Sequence, residues 1–107
     1  MIKQRGLLLV MADIDPAIED EFNRWYEEEH MGERMGVPGF VNARRFVALE
    51  GTPKYLALYD LETPKVLETP PYLHLAGAGK SPWTKRMEAQ MKNFKRNVYV
   101  GHSERTR

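Results

Sequence analysis

The chain has 107 residues, a length that suits one ordinary domain, and 42% of them are hydrophobic while 29% are charged. A formal net charge of +1 excludes the strong field that attracts nucleic acid or an anionic membrane, and the lack of cysteine excludes disulfides and thiolate chemistry. No apolar run approaches the length of a membrane-spanning helix. We therefore expect one cytoplasmic domain over residues 1–107, with no nucleic-acid or membrane partner.

The first half of the chain predicts a strand, a helix and two further strands. The run "GLLLVMA" from Gly6 shows no alternation, which is typical of a strand buried on both faces. Asp15 and Pro16 are suited to a helix N-cap and first helical position, so we predict a helix from Pro16 to His30. The segments "FVNARRFVAL" and "KYLALYDLE" predict two strands joined as a hairpin by "EGTP".

The second half predicts short helical pieces, a long helix and a last strand. We expect a short helix near Pro64–Leu67 and another helical turn around Tyr72–Leu75. Ser81 is placed to cap a second long helix, "PWTKRMEAQMKNF", which ends at Phe94, and "RNVYVGH" predicts the final strand. The order β-α-β-β-α-β indicates a ferredoxin-like α+β fold with a four-stranded antiparallel sheet.

Strand 1 indicates a second copy of the chain. Its two faces are both apolar: one presents Leu7, Leu9 and Met11, and the other Leu8, Val10 and Ala12. The helices of a ferredoxin-like domain cover one sheet face, and an exposed apolar face of that size is unusual for a monomer. We therefore predict a homodimer in which two sheets pack face to face as an α/β barrel.

Four stretches resemble a known superfamily. "FNRWYEEEH", "VPGFVNARRF", "PKYLALYDLE" and "SPWTKRM" are similar to the dimeric α/β-barrel superfamily, and within it to small EthD-type, HapK-like and polyketide-cyclase-like proteins. The resemblance extends from Gly6 to Tyr99 and implies the fold and the dimer described above. It does not define a reaction, because the superfamily contains monooxygenases, isomerases, cyclases, lyases, haem proteins and members of unknown function.

His30 is the best candidate for a catalytic residue. We expect it at a helix C-terminus, after Glu27–Glu29 and four residues after Tyr26. The helix macrodipole and the adjacent carboxylates would both favour the imidazolium, so we predict a pKa above the usual value of about 6.5. His30 would then be a general acid or base and Tyr26 would polarise a carbonyl group. The alternative is a solvated helix end, and the resemblance favours function because the family motif has a histidine here.

Three charged residues are candidates for ligand binding. Glu29 follows the apolar stripe of the first helix, so it either reaches water or is buried with Arg44 or Arg45 as its partner. Successive strand residues face opposite ways, so only one of these two arginines can point under the helices. An arginine there would suit an anionic or carbonyl-bearing ligand.

Aromatic residues are frequent for so small a domain. Taken singly, each is a typical core residue; together with the glycine-containing loop at 76–80, they predict an apolar cleft between helices and sheet. We expect Trp25, Tyr59, His74 and Trp83 to contact a ligand there.

Three functions remain open from the sequence. His30, His74 and His102 lack metal-ligand spacing, so we predict no metal site and no cofactor. The first function is a cofactor-independent cyclase, isomerase or lyase for an aromatic or polyketide-like substrate, with His30 as general acid or base. The second is a non-catalytic ligand-binding or accessory protein, and the third a cofactor-free monooxygenase. Whether the protein is an enzyme is not decided by the sequence.

Overall fold

A computed structural model describes residues 5–107, so residues 1–4 of the predicted domain lie outside the described residues. The strands are β1 (Gly6–Asp13), β2 (Phe40–Val47), β3 (Tyr55–Leu61) and β4 (Lys92–Val100). The α-helices are α1 (Glu19–Trp25), α2 (Met31–Met35), α3 (Pro70–Leu75) and α4 (Pro82–Gln90). A π-helical segment, Tyr26–His30, joins α1 to α2, and 3-10 turns cover Pro16–Ile18 and Pro64–Glu68.

The four strands form one antiparallel sheet in the order β2-β3-β1-β4. This order and the β-α-β-β-α-β succession are those of the ferredoxin-like fold, so the predicted α+β fold is confirmed. Leu9 lies at the centre of the sheet, opposite Leu58 of β3 and Asn97 of β4.

The hydrophobic core lies between the helices and one face of this sheet. Leu8 and Tyr59 supply the sheet side at 2% and 1% exposure, and Phe22, Trp25 and Met87 supply the helix side at 0%. None of the helices within residues 5–107 combines the length and the apolar character that crossing a membrane requires.

The first helical region is longer than the sequence predicts. The chain does not leave the helix at His30, because the Met31 N–H bonds to the Tyr26 carbonyl in a wider π turn and α2 continues to Met35. Gly36 ends the helix by donating its N–H to the carbonyls of Gly32 and Glu33. The predicted C-terminus at His30 is therefore wrong, and with it the expected contact of His30 with a helix end.

The second long helix is shorter than predicted. It ends at Gln90, Met91 already has extended backbone, and Phe94 belongs to β4 instead of the helix. Asn93, with a φ of 53°, donates its side-chain amide to Asp13, which ties the start of β4 to the end of β1. The short helical pieces expected near Pro64 and Tyr72 are present.

Candidate small-molecule site

A cavity of about 380 Å³ lies between the helices and the covered face of the sheet. Its apolar wall includes Leu8, Val10 and Met91. Its polar groups come mainly from Tyr26, His30, Arg34, Tyr59, Tyr72 and Arg96. An apolar cavity of this size with a few converging polar groups is typical of a small-molecule site.

One stripe of the first helical region supplies three of these groups. Tyr26, His30 and Arg34 follow one another at four-residue intervals and are only 4%, 7% and 7% exposed. Such spacing places side chains on one helical face, here across the π-helical segment. π turns within helices frequently occur at functional sites.

The His30 ring is held by aromatic contacts. It stacks on Trp25 with ring centroids 4.3 Å apart, and it meets Tyr26 edge to face at 5.2 Å. Its Nδ1 atom is buried and has no hydrogen-bond partner among residues 5–107. An unpaired buried nitrogen is costly, and His30 is one of the residues that line the cavity.

Burial, together with the positive charges of Arg34, Arg45 and Lys80, lowers the pKa of His30 to about 3. The predicted rise is therefore wrong. Glu27 and Glu28 were expected to raise this pKa, but both side chains are exposed to solvent and do not offset the effect of burial. The imidazole of His30 is consequently neutral at physiological pH.

Two tyrosines keep their protons beside this imidazole. Burial raises the pKa of Tyr26 to about 12 and raises the pKa of Tyr59 still more. The Tyr59 hydroxyl is buried and has no hydrogen-bond partner within residues 5–107. A protonated hydroxyl has a proton to donate, and Tyr59 is one of the residues that line the cavity. Tyr26 and Tyr59 both lie in the cavity wall, where the sequence analysis places them.

Glu29 and Trp25 lie outside the cavity and connect the π-helical segment and the end of α1 to the start of α4. Trp25 is fully buried, does not reach the cavity, and donates from Nε1 to Thr84 Oγ1 at 3.1 Å. The Thr84 and Ser81 hydroxyls donate to Glu29 Oε2 at 3.0 and 2.6 Å. Glu29 thus pairs with the hydroxyls of Ser81, the N-cap of α4, and of Thr84, and not with Arg44 or Arg45, the partners considered for a buried carboxylate. Neither Glu29 nor Trp25 lines the cavity, which corrects their predicted ligand contacts.

The two arginines of β2 lie on opposite faces, as predicted. Arg45 points under the helices, donates to Asn23 Oδ1 at 2.9 Å and covers the Tyr26 ring with its guanidinium carbon 4.0 Å from the centroid. It lies behind Tyr26 and outside the cavity lining. Arg44 faces away from the helices and pairs with Asp60 at 3.0 Å. Direct ligand contact by either arginine is therefore not supported in this chain.

His74 and Trp83 also lie outside the cavity lining. His74 is on the solvent side of α3, whose buried residue is Tyr72. Trp83 is half-buried and donates from Nε1 to Glu21 at 3.0 Å, because α4 turns Thr84 and Met87 towards the core instead. The cavity lining therefore does not support the prediction that these two residues contact a ligand.

Five polar residues of the cavity are absent from the predicted site residues: Arg34, Tyr72, Lys80, Glu88 and Arg96. Tyr72 accepts a hydrogen bond from Arg96 at 3.0 Å, and its ring centroid lies 5.3 Å from the guanidinium carbon of Arg34. The four-residue spacing from Tyr26 through His30 was the signal for Arg34, but it was hidden by the assumption that the helix ends at His30. Arg96 has no such signal, since cationic residues are common on edge strands.

Comparisons with known proteins identify the fold and not a family. No protein-family model matches the chain, and no curated protein gives a significant match. A dimeric ferredoxin-like protein from an uncultured marine organism is 11% identical, with a TM-score of 0.72 over 99% of this chain and 94% of that one. SnoaB, a cofactor-independent oxygenase from Streptomyces nogalater, is 13% identical, with a TM-score of 0.65 over 96% and 97% of the two chains.

A third similar structure has a different activity. The hydroxynitrile lyase from Passiflora edulis is 8% identical, with a TM-score of 0.68 over 98% of this chain and 100% of that one. At such identities the similarity establishes a shared ferredoxin-like fold, which hosts an oxygenase and a lyase. The narrower EthD-type and HapK-like resemblance is not matched by these structures.

Proposed function

We propose that the chain is a cofactor-independent enzyme in which His30 removes a proton from an aromatic or polyketide-like molecule. The observation that carries this proposal is the neutral, unpaired imidazole of His30 in the cavity wall. A structural histidine in a core usually has a hydrogen-bond partner, so a buried ring without one is typical of a functional group.

The cavity has the groups that such a proton transfer needs. The proton would move from a carbon next to a carbonyl group to an imidazole nitrogen of His30, and the electron pair of the broken C–H bond would move onto the carbonyl oxygen. Tyr59 and Arg34 line the same cavity, and their hydroxyl and guanidinium groups would stabilise that oxyanion. Tyr26 keeps its proton and would assist as a second donor.

The low pKa of His30 is compatible with this role. The value of about 3 belongs to a cavity whose nearby charges are positive. An oxyanion formed beside the ring adds a negative charge, which favours the imidazolium and offsets part of the penalty of burial. Base and anion would therefore become charged together, and in the next step the imidazolium would give up the proton to the ligand, to the leaving group or to an oxyanion formed from the ligand.

The reaction class follows from the fate of the carbanion. Return of the proton elsewhere gives an isomerase, attack within the ligand gives a cyclase, and expulsion of a group gives a lyase. Reaction with O2 gives a cofactor-free oxygenase, which is the second candidate because SnoaB, of the same fold, is described as such an oxygenase. All four begin with the proton removal assigned to His30.

Hydrogen exchange tests that common first step without knowledge of the natural substrate. Tetralone, a bicyclic aromatic ketone, is incubated in D2O with the wild-type protein and with His30→Gln, and deuterium at the carbon next to the carbonyl is measured by NMR. General-base catalysis predicts an exchange rate about 100-fold or more above that of the variant.

The matched control is His74→Gln, which changes an exposed histidine outside the cavity and should leave the exchange rate unaltered. Equal exchange by the wild type and His30→Gln would contradict the proposal and favour a non-catalytic binding protein. Oxygen uptake in the presence of the ketone would select the oxygenase among the four reactions.

We also propose that the protein is a homodimer. The sheet face opposite the helices carries Leu7, Leu9 and Met11 of β1, together with Phe46 and Tyr99, which are 45% and 47% exposed in the single chain. A second copy would cover this face, and the similar protein described as dimeric and ferredoxin-like supports that arrangement.

A further inference from the structure

Arg34 is a buried cation in need of an anion. Its side chain lines the cavity, yet the residue is only 7% exposed. Among residues 5–107, no carboxylate lies within ion-pair distance of its guanidinium group. A buried charge without a counter-charge is strongly unfavourable, so such a residue is retained where something else supplies the negative charge.

A second arginine joins Arg34 at the same wall. Arg96 of β4 donates to the Tyr72 hydroxyl, while Arg34 lies against the ring of that same tyrosine. Tyr72 thereby holds two guanidinium groups at one side of the cavity. Arg96 is exposed to solvent and Arg34 is buried, so the repulsion between them adds to the cost of the buried charge of Arg34.

The other charged groups of the cavity do not compensate these arginines. Lys80 and Glu88 form an ion pair with each other at 2.7 Å, and both are partly exposed. Glu88 is thus already paired, and Arg34 and Arg96 leave the cavity wall with two excess positive charges. Burial is the main reason that the pKa of His30 is lowered, and the positive charge of Arg34 contributes to the same shift.

The contact with Tyr72 does not remove the need for a counter-charge. A cation over an aromatic face gains some electrostatic energy, but less than an ion loses when it is taken out of water. A planar guanidinium matches the two oxygens of a carboxylate, with which it forms paired, charge-assisted hydrogen bonds.

We infer that the ligand of this cavity carries a carboxylate group, which Arg34 and Arg96 bind beside Tyr72. This inference rests on the proposed function, because it takes the same cavity as the ligand site. The aromatic body of the ligand then lies towards Leu8, Val10 and Tyr59, and the carbon that loses its proton faces His30. The substrate class is a carboxylated aromatic or polyketide-like compound.

Two probes of nearly identical shape test the inference. Naphthoate is anionic and naphthamide is neutral, and both are flat bicyclic molecules. Isothermal titration calorimetry at neutral pH should show that the wild-type protein binds naphthoate about 10-fold or more tightly than naphthamide, as expected for a hydrogen-bonded charge pair.

Arg34→Gln and Arg96→Gln should each reduce this preference for naphthoate, and the double variant should remove it. Arg34→Lys, which keeps the charge, should retain part of it. The matched control is Arg44→Gln, because Arg44 is also a strand arginine but lies on the opposite sheet face, paired with Asp60. The Arg44→Gln variant should prefer naphthoate to naphthamide as strongly as the wild-type protein does. Arg96→Gln changes an exposed residue, so this arm remains informative if Arg34→Gln does not fold.

The outcomes separate this inference from the proposed function. Equal affinities for the two probes in the wild type, no binding of naphthoate at millimolar concentration, or a preference that survives both glutamine substitutions would each overturn it. His30→Gln should keep the preference for naphthoate. A protein that shows this preference but no exchange activity retains the carboxylate site and loses only the enzymatic proposal.

Discussion

A neutral imidazole buried in the cavity wall makes the fold sensitive to acid. His30 has a pKa near 6.5 in the unfolded chain and about 3 in the folded one, so unfolding takes up a proton between these values. The free energy of unfolding is therefore highest above about pH 6.5 and falls as the pH decreases through this window, by up to about 1.4 kcal/mol per pH unit. Urea denaturation at several pH values measures this slope.

Replacement of the ring by an uncharged group isolates its contribution. His30→Gln should lower the slope of stability against pH between about pH 4 and about pH 6, whereas His102→Gln, in the exposed tail, should leave it unchanged. The carboxylates titrate in all three proteins and cancel in the comparison. Identical slopes for the wild type and His30→Gln would mean that the imidazole is not buried in neutral form.

The sequence predicted the neighbour of His30 correctly but not its charge state. The four-residue spacing of Tyr26 and His30 correctly predicted that their rings are neighbours, because that relation depends only on helical geometry. The pKa depended on where the helix ends, and the run "EEEH" suggested an end that the structure does not have. Arg34 was missed for the same reason, since it belongs to the turn after the expected terminus.

The connection between the π-helical segment and α4 is a hydrogen-bonded chain. Trp25 donates to Thr84, Thr84 donates to Glu29, and Thr84 is 2% exposed. Thr84→Val preserves the shape but leaves the indole N–H without its acceptor, so we expect the free energy of unfolding to fall by about 1–3 kcal/mol. Chemical denaturation measures this loss.

Thr84→Ser is the control, because it retains the hydroxyl and removes only a methyl group. It should be less destabilising than Thr84→Val. If serine and valine had equal effects, packing and not the hydrogen bonds would explain the loss. The stacking of Trp25 on His30 further predicts that Thr84→Val slows exchange of the ketone while Thr84→Ser does not.

Gly32 lies within α2 and Gly39 follows it, and the two differ in whether an added Cβ atom would fit. Gly39 has a φ of 100°, and a Cβ atom there would lie 2.4 Å from Cγ2 of Val66. Gly39→Ala should therefore destabilise the fold by about 1–3 kcal/mol. Gly32 is helical and exposed with nothing within 4 Å of an added Cβ, so Gly32→Ala should stabilise it by about 0.5–1 kcal/mol. Thermal denaturation measures the melting temperatures of the two variants. Equal changes in melting temperature for Gly39→Ala and Gly32→Ala would contradict this prediction.

The order of elements was predictable because local patterns determine it, whereas element ends depended on tertiary contacts. The unbroken apolar run from Gly6 and the hairpin signal "EGTP" predicted β1, β2 and β3 correctly. The second long helix was extended to Phe94 because Met91 and Phe94 continue its apolar spacing. Asp13, distant in sequence, instead holds Asn93 and starts β4 beside β1.

The shape of the whole molecule leaves one sheet face without cover. The helices pack on the side of Leu8 and Tyr59, so the alternating residues of β1 and β3 face the other way. Arg44 and Asp60 form an ion pair on this face, on the β2 side of the sheet, while its centre is apolar. Sequence alternation predicted both faces correctly, and an apolar centre with charged flanks is typical of an interface between protein chains.

A single charge at the centre of this face tests the dimer. Leu9 pairs with Leu58 and Asn97 in the middle of the sheet, so Leu9→Asp would bury a carboxylate between two copies and separate them. Light scattering at micromolar concentration should give twice the 12.4 kDa chain mass for the wild type and a single chain mass for the variant. Leu49→Asp makes the same change at a residue that is 99% exposed and should leave the dimer intact.

Circular dichroism establishes that each variant is folded. A monomeric wild-type protein, or a Leu9→Asp variant that remains dimeric, would show that two copies do not meet through this face.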